Sequence, residues 1–369
     1  MYHKTSVEIR EIPVVSKLKL HFMRNVVGIS RISKVLLLAV IVLTVLAGPA
    51  GGEVKGTYLY NLSGFTGTIP TSSAKVSVDD AHKETYVITG DVIRVFNAKG
   101  MEIYSFGEDL NAGILYDAAA DEKGDIYVLS HSSEKKGFVI TLCNYRGDPI
   151  REISLTNVPT QFEGISPSSM VYRNGTLYLV SDSAMMVVMT DANGVFKDGI
   201  DLFPLMDVTS EDRVKRGRKG ADKDKDKEKE KEKEKEKREP KRDDYGIAGF
   251  SVDHEGNLLF VSPVTAKAYI VFTDRKVESF GKRGSAPGRF AVPRGIVRDK
   301  SGNYLVSDIL RCVVMIFDKK FDFITEFGGR GYRPGNLIGP TQIVLDDDSR
   351  LYVTQLIERG VSVYKIGSD

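Results

Sequence analysis

Six segments of this chain repeat one strand-sized pattern, and that repeat limits what the chain can fold into more than any other feature. They read ETYVITG from Glu84, DIYVLSH from Asp125, TLYLVSD from Thr176, NLLFVSP from Asn257, NYLVSD from Asn303 and RLYVTQ from Arg350. The turns before them are DDAHK, DEKG, YRNG, DHEG, DKSG and DDDS. A second apolar run follows each one: VIRVFNAKG, FVITLCNYRG, MVVMTDANG, AYIVFTDRK, VVMIFDKK and VSVYKIG. Apolar residues alternating with polar ones between Gly, Asp and Asn turns predict strands rather than helices.

Successive segments begin 41, 51, 81, 46 and 47 residues apart, and the long interval contains a 34-residue charged stretch whose removal leaves 47. A period of about 40–50 residues with four strands per unit is the mark of propeller blades. The expected fold is therefore all-β, a six-bladed β-propeller of four-stranded antiparallel blades over residues 56–369. The last unit stops after its third strand, and an orphan strand, GTYLYNLSGFTG, precedes the first. Thr57 to Leu62 is expected to join the last blade and close the ring, which removes exposed sheet edges.

Two regions stand outside the repeat. Val35 to Ala47 reads VLLLAVIVLTVLA, behind seven Lys and Arg and ahead of Gly48, Pro49, Ala50, Gly51 and Gly52. A basic region, an apolar core and a small-residue exit describe a secretory signal over residues 1–50. An uncleaved anchor reaching through residues 35–52 is the alternative, and Met23 offers a later start of more ordinary length. Either way the protein is expected outside the cytoplasm: periplasmic, extracellular or anchored to the membrane. The second region, residues 211–244, holds 16 basic and 13 acidic side chains. With almost nothing apolar to bury, it reads as a solvated polyampholyte loop. Its basic shoulder, from Arg213 to Lys219, could serve as an electrostatic contact arm. These two regions carry +5 and +3 of a total charge of +2, so the propeller itself carries −6. An acidic, exported domain argues against a nucleic-acid partner.

The stretch from Gly281, GKRGSAPGRFAVPRGIVRDKSGNYLVSDILRCVVMIFD, resembles the NHL repeat: a glycine-rich lead, G-x-F, P-x-G-I, D-x-x-G, then V-x-D and a hydrophobic strand ending in F-D. The next unit follows the same pattern with Gln342 and Gln355 in place of the glycine and the aspartate. The resemblance is specific over Phe280 to Ile366, moderate over Ile247 to Phe280, and only a strand rhythm over residues 65–205. It implies a propeller family that includes interaction scaffolds, RNA-binding modules and a few lyase-like or lactonase-like enzymes, and fold does not choose among them.

Register places the starts of the inner strands and the loops between second and third strands on one face, the mouth of the central channel. The candidate binding residues there are Tyr116, Asp117, Arg294 and Gln342 from inner strands, with Asp182, Asp308, Arg311 and Gln355 from loops. Ser169, Thr341 and Asp91 share that face. Gly249, Gly295 and Ala119 are small enough to let inner strands crowd together. Arg294 and Arg311 suit a carboxylate or peptide ligand, or ion pairs that tie blades together, and both readings stand at this point.

Beyond the leader the chain has three histidines, His82, His131 and His254, in different units. A zinc site needs convergent ligands, so no catalytic residue, metal site or cofactor is expected. Calcium is left open by the many acidic turns, although Asp and Asn also favour such bends for their own hydrogen bonding. Cys143 and Cys312 fall in the third strands of the second and fifth blades, too far apart to bridge, and are expected as buried thiols. The functional expectation is a non-enzymatic scaffold for a protein partner in the cell envelope. The alternative is a metal-supported hydrolase or lyase acting at the channel mouth.

Overall fold

A computed structural model describes residues 54–64, 67–68, 74–110, 113–132, 134–135, 137–206, 241–356 and 360–368. The proposed signal and most of the charged stretch lie outside the described residues. The repeat becomes six four-stranded antiparallel sheets. Their inner strands are Lys75–Asp79, Ile114–Ala120, Ser169–Arg173, Ala248–Val252, Pro293–Arg298 and Pro340–Leu345, in blades 1 to 6. Each inner strand touches those of the two neighbouring blades, and the last touches the first, so the ring is closed.

Blades stack face to face, which dictates the burial pattern. Middle strands are covered on both sides, so Leu258–Ser262 and Val313–Phe317 are buried at every position. Outer strands meet solvent, and in Pro149–Ile153 only Ile153 is buried. Between blades 4 and 5 the core is aromatic: Phe280 lies 5.0 Å from Phe317 and 4.7 Å from Phe321, ring centre to ring centre. Such pairs add modestly to the burial of large side chains.

The acidic turns do conventional turn work. Asp299 Oδ1 accepts the Asn303 N–H at 2.8 Å, while Asn303 Nδ2 donates to Asp299 Oδ2 at 2.8 Å. Gly302, at φ +89°, takes a left-handed conformation that a side chain would strain. Asp253 does the same for Glu255 and Asn257.

Ring closure follows the expected plan, with the strand starting slightly earlier. Val54–Asn61 is the outer strand of blade 6 and pairs antiparallel with Val361–Ser368, from Val54 opposite Ser368 to Asn61 opposite Ser362. Leu62 N–H then donates to the Val361 carbonyl at 2.8 Å. Cys143 and Cys312 are buried free thiols. Cys312 sits one residue ahead of its strand, in a left-handed turn at φ +59°.

The base of the charged insert is tied down. Phe196–Asp201 is the outer strand of blade 3, and Arg242–Asp244 forms a short 3-10 turn just before blade 4. Arg242 forms an ion pair with Asp201, donating to Oδ1 at 2.8 Å, and its guanidinium lies 5.1 Å from the Phe203 ring centre. Leu202, Met206, Tyr245 and Ile247, from the two sides of the insert, are buried in one cluster between blades 3 and 4.

Candidate functional site: the channel mouth

The inner strands enclose a channel of about 550 Å³ along the ring axis. What the mouth can bind depends on which polar groups the frame has already used. One position shows this clearly, the residue four places before the turn aspartate in the five blades that have one. It is Lys75 in blade 1, Asp117 in blade 2, Gly249 in blade 4, Gly295 in blade 5 and Gln342 in blade 6.

At the glycines, neighbouring strands press directly together. A Cβ on Gly249 would overlap the Arg294 carbonyl and the Gly295 Cα, and one on Gly295 would crowd the Thr341 carbonyl and the Ile343 nitrogen. At Asp117 and Gln342 the side chain bridges the joint. Asp117 accepts hydrogen bonds from its neighbour Ala118 N–H and, across the joint, from Met170 N–H of blade 3, both at 3.0 Å. Gln342 spans blades 6 and 1, accepting from Val76 N–H at 2.8 Å and donating to the Val76 carbonyl at 3.1 Å. The glycine joints carry hydroxyl bridges instead: Ser251 Oγ donates to the Ile296 carbonyl, and Ser307 Oγ to that of Thr341.

Three of the loop residues are also engaged. Asp308 is fully buried and accepts from four backbone N–H groups, those of Ala291, Val292, Leu310 and Arg311. Gln355 holds the corresponding place, since Pro340 pairs with it as Pro293 pairs with Asp308. It accepts from Ile338 N–H at 2.7 Å and donates to Ser362 Oγ at 2.8 Å, which in turn donates to Asn61 of the closing strand. Arg311 pairs with Glu326 at 2.6 Å and donates to the Arg289 carbonyl. Tyr116 occupies a bulge, its ring 6.2 Å from that of His131, and packs into the core between blades 2 and 3. Of the eight residues picked from the sequence, Asp117, Asp182, Arg294 and Gln342 line the channel, and Tyr116, Asp308, Arg311 and Gln355 do not.

Lys75, which also lines the channel, was missed. Its place four residues before Asp79 was the available signal, obscured because blade 1 lacks the P-x-G-I lead. Its charge holds down the carboxyls of both Asp117 and Asp182. Burial outweighs that effect, pushing Asp117 up to about 6 and Asp182 above the ordinary carboxylate range.

The histidines remain apart. His82 Nδ1 is 2.7 Å from Asp79 Oδ2 in blade 1, and His254 Nδ1 is 3.3 Å from Arg173 Nη1 at the far end of the channel. Among the described residues no three His, Cys, Asp or Glu side chains form a group that could hold a metal ion. No described helix is long and apolar enough to cross a membrane.

The six sheets and their closed ring define a class, the six-bladed β-propeller. No family model matches the chain, and no curated protein matches it. Solved structures do. An auxiliary nutrient binding protein from Bacteroides thetaiotaomicron VPI-5482 aligns at 12% identity over 86% of this chain and 76% of its own, with a TM-score of 0.53. Virginiamycin B lyase from Staphylococcus aureus, in a catalytically inactive form with quinupristin, aligns at 13% identity over 87% and 97%, with a TM-score of 0.49. The WD40 β-propeller domain of Doa1 aligns at 11% identity over 83% and 97%, with a TM-score of 0.47. At these identities the likeness is one of fold alone.

Proposed function

We propose that this protein is an exported NHL-type propeller that serves as a non-enzymatic interaction scaffold in the cell envelope, presenting its channel mouth to a protein partner. The division of polar groups at the mouth carries the reading. Asp117, Asp308, Gln342 and Gln355 are taken up by the backbone and Arg311 by Glu326, while Lys75, Asp182 and Arg294 keep their charges directed at the channel. Fixed charges on a rigid frame confer specificity and speed encounter with a complementary surface. The apolar stretch from Val35 to Ala47 supports export, and the Gly281 to Asp318 repeat supports the NHL assignment.

Amine-reactive crosslinking of a tagged chain in fractionated envelopes, read by mass spectrometry, tests this. The expected result is a defined envelope protein joined near the mouth, lost in Arg294→Glu. Recovery of the protein only as an uncrosslinked monomer would overturn the proposal.

A further inference from the structure

Asp182 and Arg294 face the same channel from blades 3 and 5, with only the inner strand of blade 4 between them. That strand approaches both residues. Ile247 N–H donates to the Asp182 carbonyl at 3.3 Å, and Gly249 abuts the Arg294 carbonyl. Between the two charges the chain offers Ile247, Ala248 and Gly249, small or apolar residues that line the channel.

Neither side chain forms an ion pair among the described residues. Among the described residues Arg294 has no ion-pair or side-chain hydrogen-bond partner, and its side chain is exposed. Asp182 has the Ser168 hydroxyl and no ion pair. Lys75 lies on the opposite side, where its field is shared between Asp182 and the buried Asp117. The mouth therefore has a negative pole at blades 2 and 3, flanked by the Lys75 cation of blade 1 and the Arg294 cation of blade 5.

We infer that this segment floors a subsite for a small zwitterion, an α-amino acid or a short peptide. The ligand's ammonium pairs with Asp182, its carboxylate with Arg294, and an apolar side chain lies on Ile247. Guanidinium–carboxylate pairing of this kind is charge-assisted and geometrically selective. A channel of about 550 Å³ is of the size that encloses such ligands. The inference rests on the reading of the mouth as the binding end, and adds the chemistry that the mouth recognises.

Calorimetric titration of the purified protein with L-leucine and with Leu-Leu tests it, using N-acetyl-leucine and leucinamide as end-blocked controls. Saturable binding of at least one zwitterion is expected, weakened about tenfold or more by blocking either end. Arg294→Gln should weaken ligands that carry a carboxylate and leave leucinamide unaffected. Asp182→Asn should weaken those that carry an ammonium and leave N-acetyl-leucine unaffected. Binding of leucine alone would identify free amino acids as the source, and binding of Leu-Leu alone would identify chain ends. Arg294→Gln alters an exposed side chain, so it remains informative if Asp182→Asn fails to fold. No saturable binding of either zwitterion at millimolar concentration, or affinity indifferent to blocking and to Arg294→Gln, would overturn the subsite. Partner crosslinks that persist in that case would sink the subsite alone, whereas leucine binding without any crosslinked partner would sink the scaffold reading alone.

Discussion

Gln342 holds the ring's closing joint with one amide. Val76, whose N–H and carbonyl it bonds, is only 2% exposed. Gln342→Ala would strand a buried donor and acceptor, a loss of about 1–3 kcal/mol, visible as a lower urea midpoint at unchanged slope. Asp117 makes a different prediction. Its folded carboxyl titrates at about 6 against an ordinary 3.8, with burial the main cause. A carboxyl raised on folding favours the native state while protonated. Its contribution is therefore complete below pH ~3.8, is lost as pH rises through about 6, and is on the order of 2–3 kcal/mol. Asp117→Asn keeps an acceptor for the Met170 N–H and removes the ionisation. The difference in unfolding free energy between variant and wild type should then widen in the variant's favour from pH 4 to pH 7, and a pH-independent difference would refute the assignment. At this scale the sequence was least legible. Asp308 and Arg294 look alike in the sequence as polar residues, and the four N–H groups that consume Asp308 come from two segments, residues 291–292 and 310–311, that only folding brings together.

At the scale of the element, the strands were legible because each face of a blade has its own partner. A middle strand packed on both sides must be apolar throughout, as Val313–Phe317 is, and an outer strand need not be. The orphan strand at the start of the repeat was legible for the same reason, since blade 6 lacked an outer strand to cover Val361–Ser368. Removing residues 54–61 would bare that edge and uncover Tyr364 and Ile366, which are buried in the core between blades 5 and 6. Loss of a cooperative thermal transition and aggregation on gel filtration are expected, rather than local fraying. A truncated chain that melts like the intact one would contradict ring closure by this strand. Inner-strand spacing was only partly legible. Gly249 and Gly295 announce close approach, but the bridging at Asp117 and Gln342 occupies the same sequence position with the opposite chemistry.

For the whole molecule, the charged stretch falls between blades 3 and 4, and the described residues on its two sides meet. Arg242 with Asp201, and Tyr245 beside Phe203 at 6.0 Å, close the chain's path across the gap. Replacing residues 207–240 with a short Gly/Ser linker should shift Tm by no more than about 2 °C, since the closure entropy of a connecting segment changes slowly with its length. A fall of ten degrees or more would show that the stretch belongs to the fold. By itself the sequence determined the number of blades, the strand order within each and the way the ends meet, because periodic burial is written locally in every repeat. Tertiary structure decided which polar side chains are taken up by the backbone of a neighbouring segment. Lys75, Asp182 and Arg294 are distinguished from Asp117, Asp308 and Gln342 only by the backbone atoms that neighbouring blades bring within hydrogen-bonding distance. That proximity belongs to the closed ring, not to any one repeat.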